Sequence, residues 1–224
     1  MIKLEKLNQR EAIRYLGYKN NLPDENIQRV IDECEAQLLS VIEPRYIFRS
    51  FNILREDNNI LLDGCEISLG GKDIQNHLER CDRAVLFCAT ISAGADRLIR
   101  KAQLEDMTRA VIIDSLASAT IEQVCDIAEG EIRNEYPESY MTWRFSPGYG
   151  DLPIEIQGEF LSVLNAPKRI GLTATESSIL IPKKSVTAVI GLSNNPVEQK
   201  KRGCQTCNLK DTCNFRKRGE HCGF

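Results

Sequence analysis

Apolar positions recur at helical spacing near the start of the chain. Ile27, Val30, Ile31, Cys34, Leu38 and Leu39 fall at intervals that place them on one face of a helix. Asn21-Leu22-Pro23-Asp24 restarts the chain into that helix, and Pro44 ends it, because the residue before a proline is pushed out of helical backbone. A shorter helix to Leu16 precedes it, opened by Asn8 with Glu11 as a capping box. Residues 45–54 alternate, with Tyr46, Phe48, Phe51 and Ile53 among polar partners, as a strand does. Residues 59–68 form a second strand region broken at Asp63-Gly64, and Gly70-Gly71-Lys72-Asp73 turns into a helix to about residue 80. Residues 84–90 (AVLFCAT) are almost wholly apolar and read as the most buried strand, running into the small-residue turn Ser92-Ala93-Gly94. Two helices follow, at 95–104 and 106–136. Small residues along the second (Ala110, Ala117, Ala128) suit close packing.

The pattern changes at 143–153 (WRFSPGYGDLP), where two Pro and two Gly among aromatics predict a stiff irregular loop. A helix is expected at 154–164. Strands are expected at 172–181 and 185–192, joined as an antiparallel hairpin at Pro182-Lys183-Lys184. Ser193-Asn194-Asn195-Pro196 closes the body. Helices mixed with antiparallel strand pairs predict an α+β fold: one domain over 1–193, an antiparallel sheet and hairpin packed with helices, and a Cys-rich tail over 194–224.

Composition sharpens this picture at the C-terminus. The chain has 224 residues and a formal net charge of -3. That size supports a core without disulfides, and that charge excludes a globally basic nucleic-acid binder. From Val197 onward seven Lys and Arg stand against three acids, so the tail carries +4 and the remainder -7. No apolar run reaches the roughly 18–20 residues of a membrane span, and the N-terminus lacks the pattern of an export signal. With an odd cysteine total, these features lead us to expect a cytoplasmic protein.

Cys204, Cys207, Cys213 and Cys222 cluster in the tail at x2, x5 and x8 spacing, with His221 as an alternative last ligand. Two thiolates at x2 spacing grip one ion from a tight turn, and a four-sulfur set suits zinc or an iron–sulfur cluster. Disulfides or free thiols are the alternative. Only Phe215 and Phe224 offer rings for stacking on bases, which argues against a nucleic-acid role for the tail. The other cysteines, Cys34, Cys65, Cys81, Cys88 and Cys125, sit in apolar-patterned segments and read as small buried hydrophobes.

Several motifs occur in an order that resembles a known family. Arg144-Phe145-Ser146-Pro147-Gly148-Tyr149 is similar to the RxxPGY signature of the activation (reactivation) domain of cobalamin-dependent methionine synthase. Thr175-Glu176-Ser177 with Pro182 and Ser185-Val186 resembles the hairpin that follows it there, and Arg14-Tyr15-Leu16-Gly17-Tyr18 resembles the opening of free-standing versions. The resemblance spans about residues 1–193. It implies binding of S-adenosylmethionine for reductive methylation of inactive cob(II)alamin. The cobalamin would be presented in trans by the cobalamin-binding domain of a methionine synthase or a related corrinoid protein. It assigns Arg144 to the ligand carboxylate, for which a guanidinium fork is suited. Pro147 and Gly148 would shape the backbone beside the adenosyl group, Tyr149 would supply a face or hydroxyl, and Glu122 would lie near the methionyl end. Glu176 and Ser177 are expected to hold the hairpin together. The basic tail would dock an acidic flavodoxin-like reductant. The sequence departs from the family at 194–202 (NNPVEQKKR), which has no aromatic residue where the fused domains carry a Tyr-rich closing segment.

Overall fold

The computed structural model describes residues 2–18, 22–56 and 59–197. The tail cysteines lie outside the described residues. The fold is α+β, built on a six-stranded sheet in the order β3-β2-β1-β4-β8-β5, in which every pairing is antiparallel. The strands are β1 (Arg45–Glu56), β2 (Asn59–Leu62), β3 (Ser68–Gly70), β4 (Arg83–Thr90), β5 (Tyr140–Met141) and β8 (Ser185–Ser193). Helices α1 (Gln9–Tyr15), α2 (Glu25–Val41), α4 (Ala93–Glu105) and α5 (Met107–Glu135) cover one face. Helices α3 (Lys72–Leu78), α6 (Gln157–Val163) and α7 (Ala166–Ile170) cover the other.

The continuous apolar run of β4 follows from this sandwiching. Phe87 and Ala89 enter the core beneath α5, while Ala84, Leu86 and Cys88 enter the core on the α3 side. A strand buried on both faces has no solvent side on which to place polar residues. Helix α5 is the longest element, about 43 Å at the usual rise. Its buried alanines at 110, 117, 119 and 128 let it lie close to the sheet.

Helix ends follow the local rules. Asn8 Oδ1 accepts from the Glu11 N–H at 3.1 Å, Asp24 Oδ1 from Ile27 N–H at 2.9 Å, and Asp106 Oδ1 from Thr108 N–H at 2.9 Å. The expected capping box is only half made: the Asn8 N–H donates to Gln123 Oε1 at 3.2 Å, and the Glu11 carboxylate pairs with Arg14 instead. Asp63-Gly64 is the expected break, with β2 ending at Leu62 and β3 starting only at Ser68. Ser92-Ala93-Gly94 is not a free turn. Ser92 Oγ caps α4 by accepting from Gly94 N–H at 3.4 Å, and Ala93 is already helical.

The expected hairpin of 172–181 with 185–192 is corrected by the structure. Residues 172–181 fold on themselves: β6 (Thr173–Ala174) pairs β7 (Leu180–Ile181) in a separate two-stranded sheet. The partners of β8 are β4 and β5. The reason is burial. From Thr187 to Ser193 every residue of β8 is buried, so both of its edges need covered backbone partners, whereas Ile179 and Ile181 are half exposed. Sequence reading also missed β5, which is two residues long, and α7, a single turn that carries Pro167 near its start and is closed by Gly171. Cys34, Cys81, Cys88 and Cys125 are buried free thiols, as expected for small hydrophobes, and Cys65 is half-buried. Burial pushes Cys81 up to about 11 and Cys88 up to about 12. No helix among the described residues is long and apolar enough to cross a membrane.

Two elements approach closely at Gly94, where a Cβ would sit 1.9 Å from the Val41 carbonyl oxygen at the end of α2. Neither backbone can yield without moving a helix. Gly94→Ala should therefore destabilise the protein by about 1–3 kcal/mol, read as a lowered urea midpoint with an unchanged slope.

Candidate functional site

The residues after β5 continue along the open side of β8 without forming a regular strand. Thr142 N–H donates to Gly191 O at 2.9 Å, and Phe145 and Val189 exchange backbone hydrogen bonds of 2.9 and 2.8 Å. Side chains of an extended segment alternate between faces. Phe145 and Trp143 therefore turn to the α3 side of the sheet, and Arg144 turns to the α5 side.

There Arg144 meets three carboxylates of α5. Its Nη2 lies 2.9 Å from Glu122 Oε2, and its Nη1 lies 3.1 Å from Asp126 Oδ1 and 3.2 Å from Glu129 Oε1. The acids are spaced four and three residues apart, so they line one helix face. The arginine side chain is only 11% exposed, against 44% for Glu122 and 70% for Asp126. Burial disfavours its charge, but Cys125, Glu129, Glu122 and Asp126 outweigh that and raise its pKa above the ordinary value. Burial likewise pushes the neighbouring Cys125 thiol upward.

The N-terminal motif lies within electrostatic range of Glu122. Glu11 pairs with Arg14 at 2.5 Å, and the Arg14 guanidinium lies 4.8 Å above the Tyr15 ring. Burial pushes the Tyr15 hydroxyl up to about 12, helped by its hydrogen bond to Glu11 and by the negative charges of Glu11 and Glu122. Glu122 thus feels both Arg144 and Tyr15, two motif residues far apart in sequence.

On the opposite face, His77 of α3, Trp143, Phe145 and Tyr149 form an aromatic cluster. Its ring centroids are 4.7 Å apart for His77–Trp143, 5.2 Å for Trp143–Phe145 and 6.2 Å for Phe145–Tyr149. Thr142 Oγ1 links this cluster to the sheet, accepting from Gly191 N–H at 2.7 Å and lying 2.8 Å from His77 Nε2.

The remaining loop is held by its own turns. Gly148, at φ 88°, donates to Leu152 O at 2.9 Å, and Tyr149 N–H donates to Ser146 O at 3.0 Å. Pro147 is buried, Gly148 is exposed, and Tyr149 is 50% exposed with an edge on Phe145. The tightest backbone approach in the loop is at Gly150, at φ 56°, where a Cβ would lie 2.2 Å from Asp73 Oδ2. Next to it the Asp151 carboxylate caps α3, accepting from Lys72 N–H at 2.7 Å and Asp73 N–H at 2.9 Å. These backbone hydrogen bonds, Asp73 first, hold the Asp151 carboxyl below its ordinary range. Its contribution to stability is therefore present at neutral pH and is lost on acidification through that lowered value.

The structure thus brings Arg144 and Glu122 into contact and places Pro147, Gly148 and Tyr149 with the α3-side turn. Glu176 is exposed at the tip of the β6–β7 turn. Ser177 Oγ lies 2.9 Å from Thr175 Oγ1 within that turn. Sequence reading named Tyr15 only as part of the N-terminal motif, without a role, and missed Asp126, Glu129 and Asp151. The four-then-three spacing of Glu122, Asp126 and Glu129 was the available signal for two of them. Among the described residues no group of His, Cys, Asp or Glu is arranged to hold a metal.

No protein-family model matches the sequence, and no curated protein matches it. Thirteen solved chains match in structure. One is a crystal structure of the MetH reactivation domain bound to AdoHcy, with a TM-score of 0.64 and 15% identity over 96% of this chain and 82% of that one. At that identity the likeness is one of fold.

Removing the arginine leaves three carboxylates facing one another. Arg144→Ala should cost about 1–3 kcal/mol, below the figure for a fully buried pair because the acids are partly hydrated. Urea denaturation at neutral pH should show the deficit as a lowered midpoint with an unchanged slope.

Proposed function

We propose that this protein binds S-adenosylmethionine and presents it to a cobalamin carried by another protein, reactivating a methionine synthase or related corrinoid protein in trans. The observation that carries this reading is convergence. Arg144 of the RxxPGY motif contacts Glu122 on α5, Tyr15 of the N-terminal motif lies within electrostatic range of the same carboxylate, and a solved example of this fold is bound to AdoHcy.

The electrostatics fit a cationic ligand. One guanidinium among three carboxylates leaves formal excess negative charge on the α5 side of the sheet edge, which favours an ammonium and a sulfonium. Arg144 is already engaged, so a ligand carboxylate has to exchange with one of its present partners. Glu122 and Asp126, the more exposed of the three, are the ones with room to turn away. Tyr149 and Trp143 offer aromatic surface beside the Pro147-Gly148 turn. When bound, the corrinoid supplies the methyl acceptor. This chain's residues bind and orient the sulfonium, which is a task of positioning and charge placement.

Calorimetric titration with S-adenosylmethionine should give saturable heat. Arg144→Ala should bind more weakly by roughly 1.5–3 kcal/mol, with a melting curve recorded to separate lost binding from lost folding. Glu122→Gln should weaken binding while leaving the fold intact. Absence of heat, with or without a cobalamin-bearing partner, excludes the ligand.

A second reading has its own support: a metal- or iron–sulfur-bearing interaction or electron-transfer module on this fold that no longer binds S-adenosylmethionine. The saturated Arg144 fork favours it, as does the absence of aromatics at 194–202. In both readings Cys204, Cys207, Cys213 and Cys222 would hold the metal, and the donor set of four thiols in a short basic segment fits zinc or an iron–sulfur cluster. The basic residues around them would meet an acidic flavodoxin-like reductant in the cytoplasm. Anaerobically purified protein should be brown, absorbing near about 400 nm, if iron–sulfur is bound, or colourless with stoichiometric zinc. Cys207→Ser should release the metal in either case, and protein free of both metals would remove the tail from the functional account.

A further inference from the structure

The sheet has an open edge that neither reading uses. β2 pairs only with the last part of β1, from Ile53 to Glu56, whereas β4 pairs with Arg45–Asn52. The other side of β1 from Tyr46 to Ser50 has no strand partner among the described residues. Which groups point outward follows from parity. Ile53 N–H donates to Asp82 O on the β4 side, and Asn52 O accepts from Asp63 N–H on the β2 side. In an antiparallel strand the N–H and C=O of one residue point the same way and alternate along the chain. The backbone groups of Tyr46, Phe48 and Ser50 therefore face the open edge.

A cleft of about 430 Å³ runs along this edge. Its two walls differ in chemistry. On the α7 side stand Arg49 and Arg169, and the Arg49 guanidinium lies 4.7 Å over the Phe51 ring. Neither forms an ion pair among the described residues. On the α5 side stand Tyr46, Phe48, Ser50 and Tyr136, with Glu135 at the rim. Tyr46 hydrogen-bonds Glu131 there, Ser50 Oγ lies 2.8 Å from Tyr136 Oη, and Arg83 Nη2 donates to Ser50 Oγ at 2.9 Å. Arg83 stacks 5.1 Å from the Tyr136 ring, and its buried Nε has no hydrogen-bond partner among the described residues.

We infer that this edge is a strand-addition site, which takes an extended partner segment whose carboxylates alternate with apolar or hydroxyl side chains. Backbone pairing with Tyr46, Phe48 and Ser50 supplies the attachment, and the alternation supplies the selectivity. Acidic side chains meet Arg49 and Arg169, and the intervening ones lie against Tyr46, Phe48 and Tyr136. The site is long enough for about five residues at strand rise. The chain's own segment after Val197 is a poor occupant, because its seven Lys and Arg would face the arginine wall. A second copy would bring the same arginines and helical layers against the first.

The test uses the full chain and a short blocked peptide alternating glutamate with valine, followed by amide exchange and fluorescence anisotropy. The peptide should slow exchange at Tyr46, Phe48 and Ser50. The lysine-for-glutamate peptide should bind on the order of tenfold more weakly, and Arg49→Glu should reverse that preference. N-methylation of alternate peptide amides should abolish protection without altering the protein. The inference falls if millimolar peptide gives no protection, or if the two peptides bind equally. It also falls if those amides are already protected in the free protein. Protection that rises with protein concentration would assign the edge to a second copy, and protection independent of concentration would assign it to the chain's own residues. None of these outcomes bears on S-adenosylmethionine binding.

Discussion

The pairing of β8 on both of its edges governs where everything else can lie. From Thr187 onward the strand is buried, so each of its backbone groups needs a partner that water cannot replace. β4 supplies one side. The other is covered by β5 and by the irregular run from Thr142 to Phe145, through contacts such as the Phe145–Val189 pair. Because that run is extended, its side chains alternate, and one residue step separates Arg144 from the aromatic cluster around His77. The polar network and the aromatic cluster are two sides of one backbone constraint.

The acidic face of α5 and Arg144 are mutually dependent. Three carboxylates on adjacent turns repel one another, and the guanidinium relieves this while remaining nearly buried. The same arrangement has two functional meanings. It is a structural tie between the long helix and the sheet edge, and it is a negatively biased surface on the face opposite the aromatic cluster. Under the proposed function, a ligand cationic at its sulfur and amine would use the second without abolishing the first, with Glu122 or Asp126 rotating outward. The loop itself is anchored independently of Arg144, since Asp151 caps α3 and Gly150 lies against Asp73.

Much of this was legible in the residues. The cap at Asn8, the helix starts at Asp24 and Asp106, the alternation in β1 and the two-sided apolar run of β4 are local signals that the structure reproduces. The α+β class followed from them. Glu122 and Arg144 were singled out through a resemblance, and the structure joins them at 2.9 Å. Asp126 and Glu129 were readable from helical spacing. Asp151 was not, because a carboxylate that caps a helix distant in sequence leaves no spacing pattern behind.

Local patterning determined the elements, since hydrophobic period and caps act within a few residues of each other. The partners of those elements were decided only in three dimensions. Residues 172–181 looked like the natural mate of 185–192, but burial on both faces required β8 to lie inside the main sheet, and the preceding segment closed on itself. Likewise, composition put an arginine in a Pro-Gly loop, whereas packing decided that its fork would meet the carboxylates of α5. Contact between distant segments depends on which surfaces can be excluded from water together, and that is a property of the assembled layers rather than of any one stretch of chain.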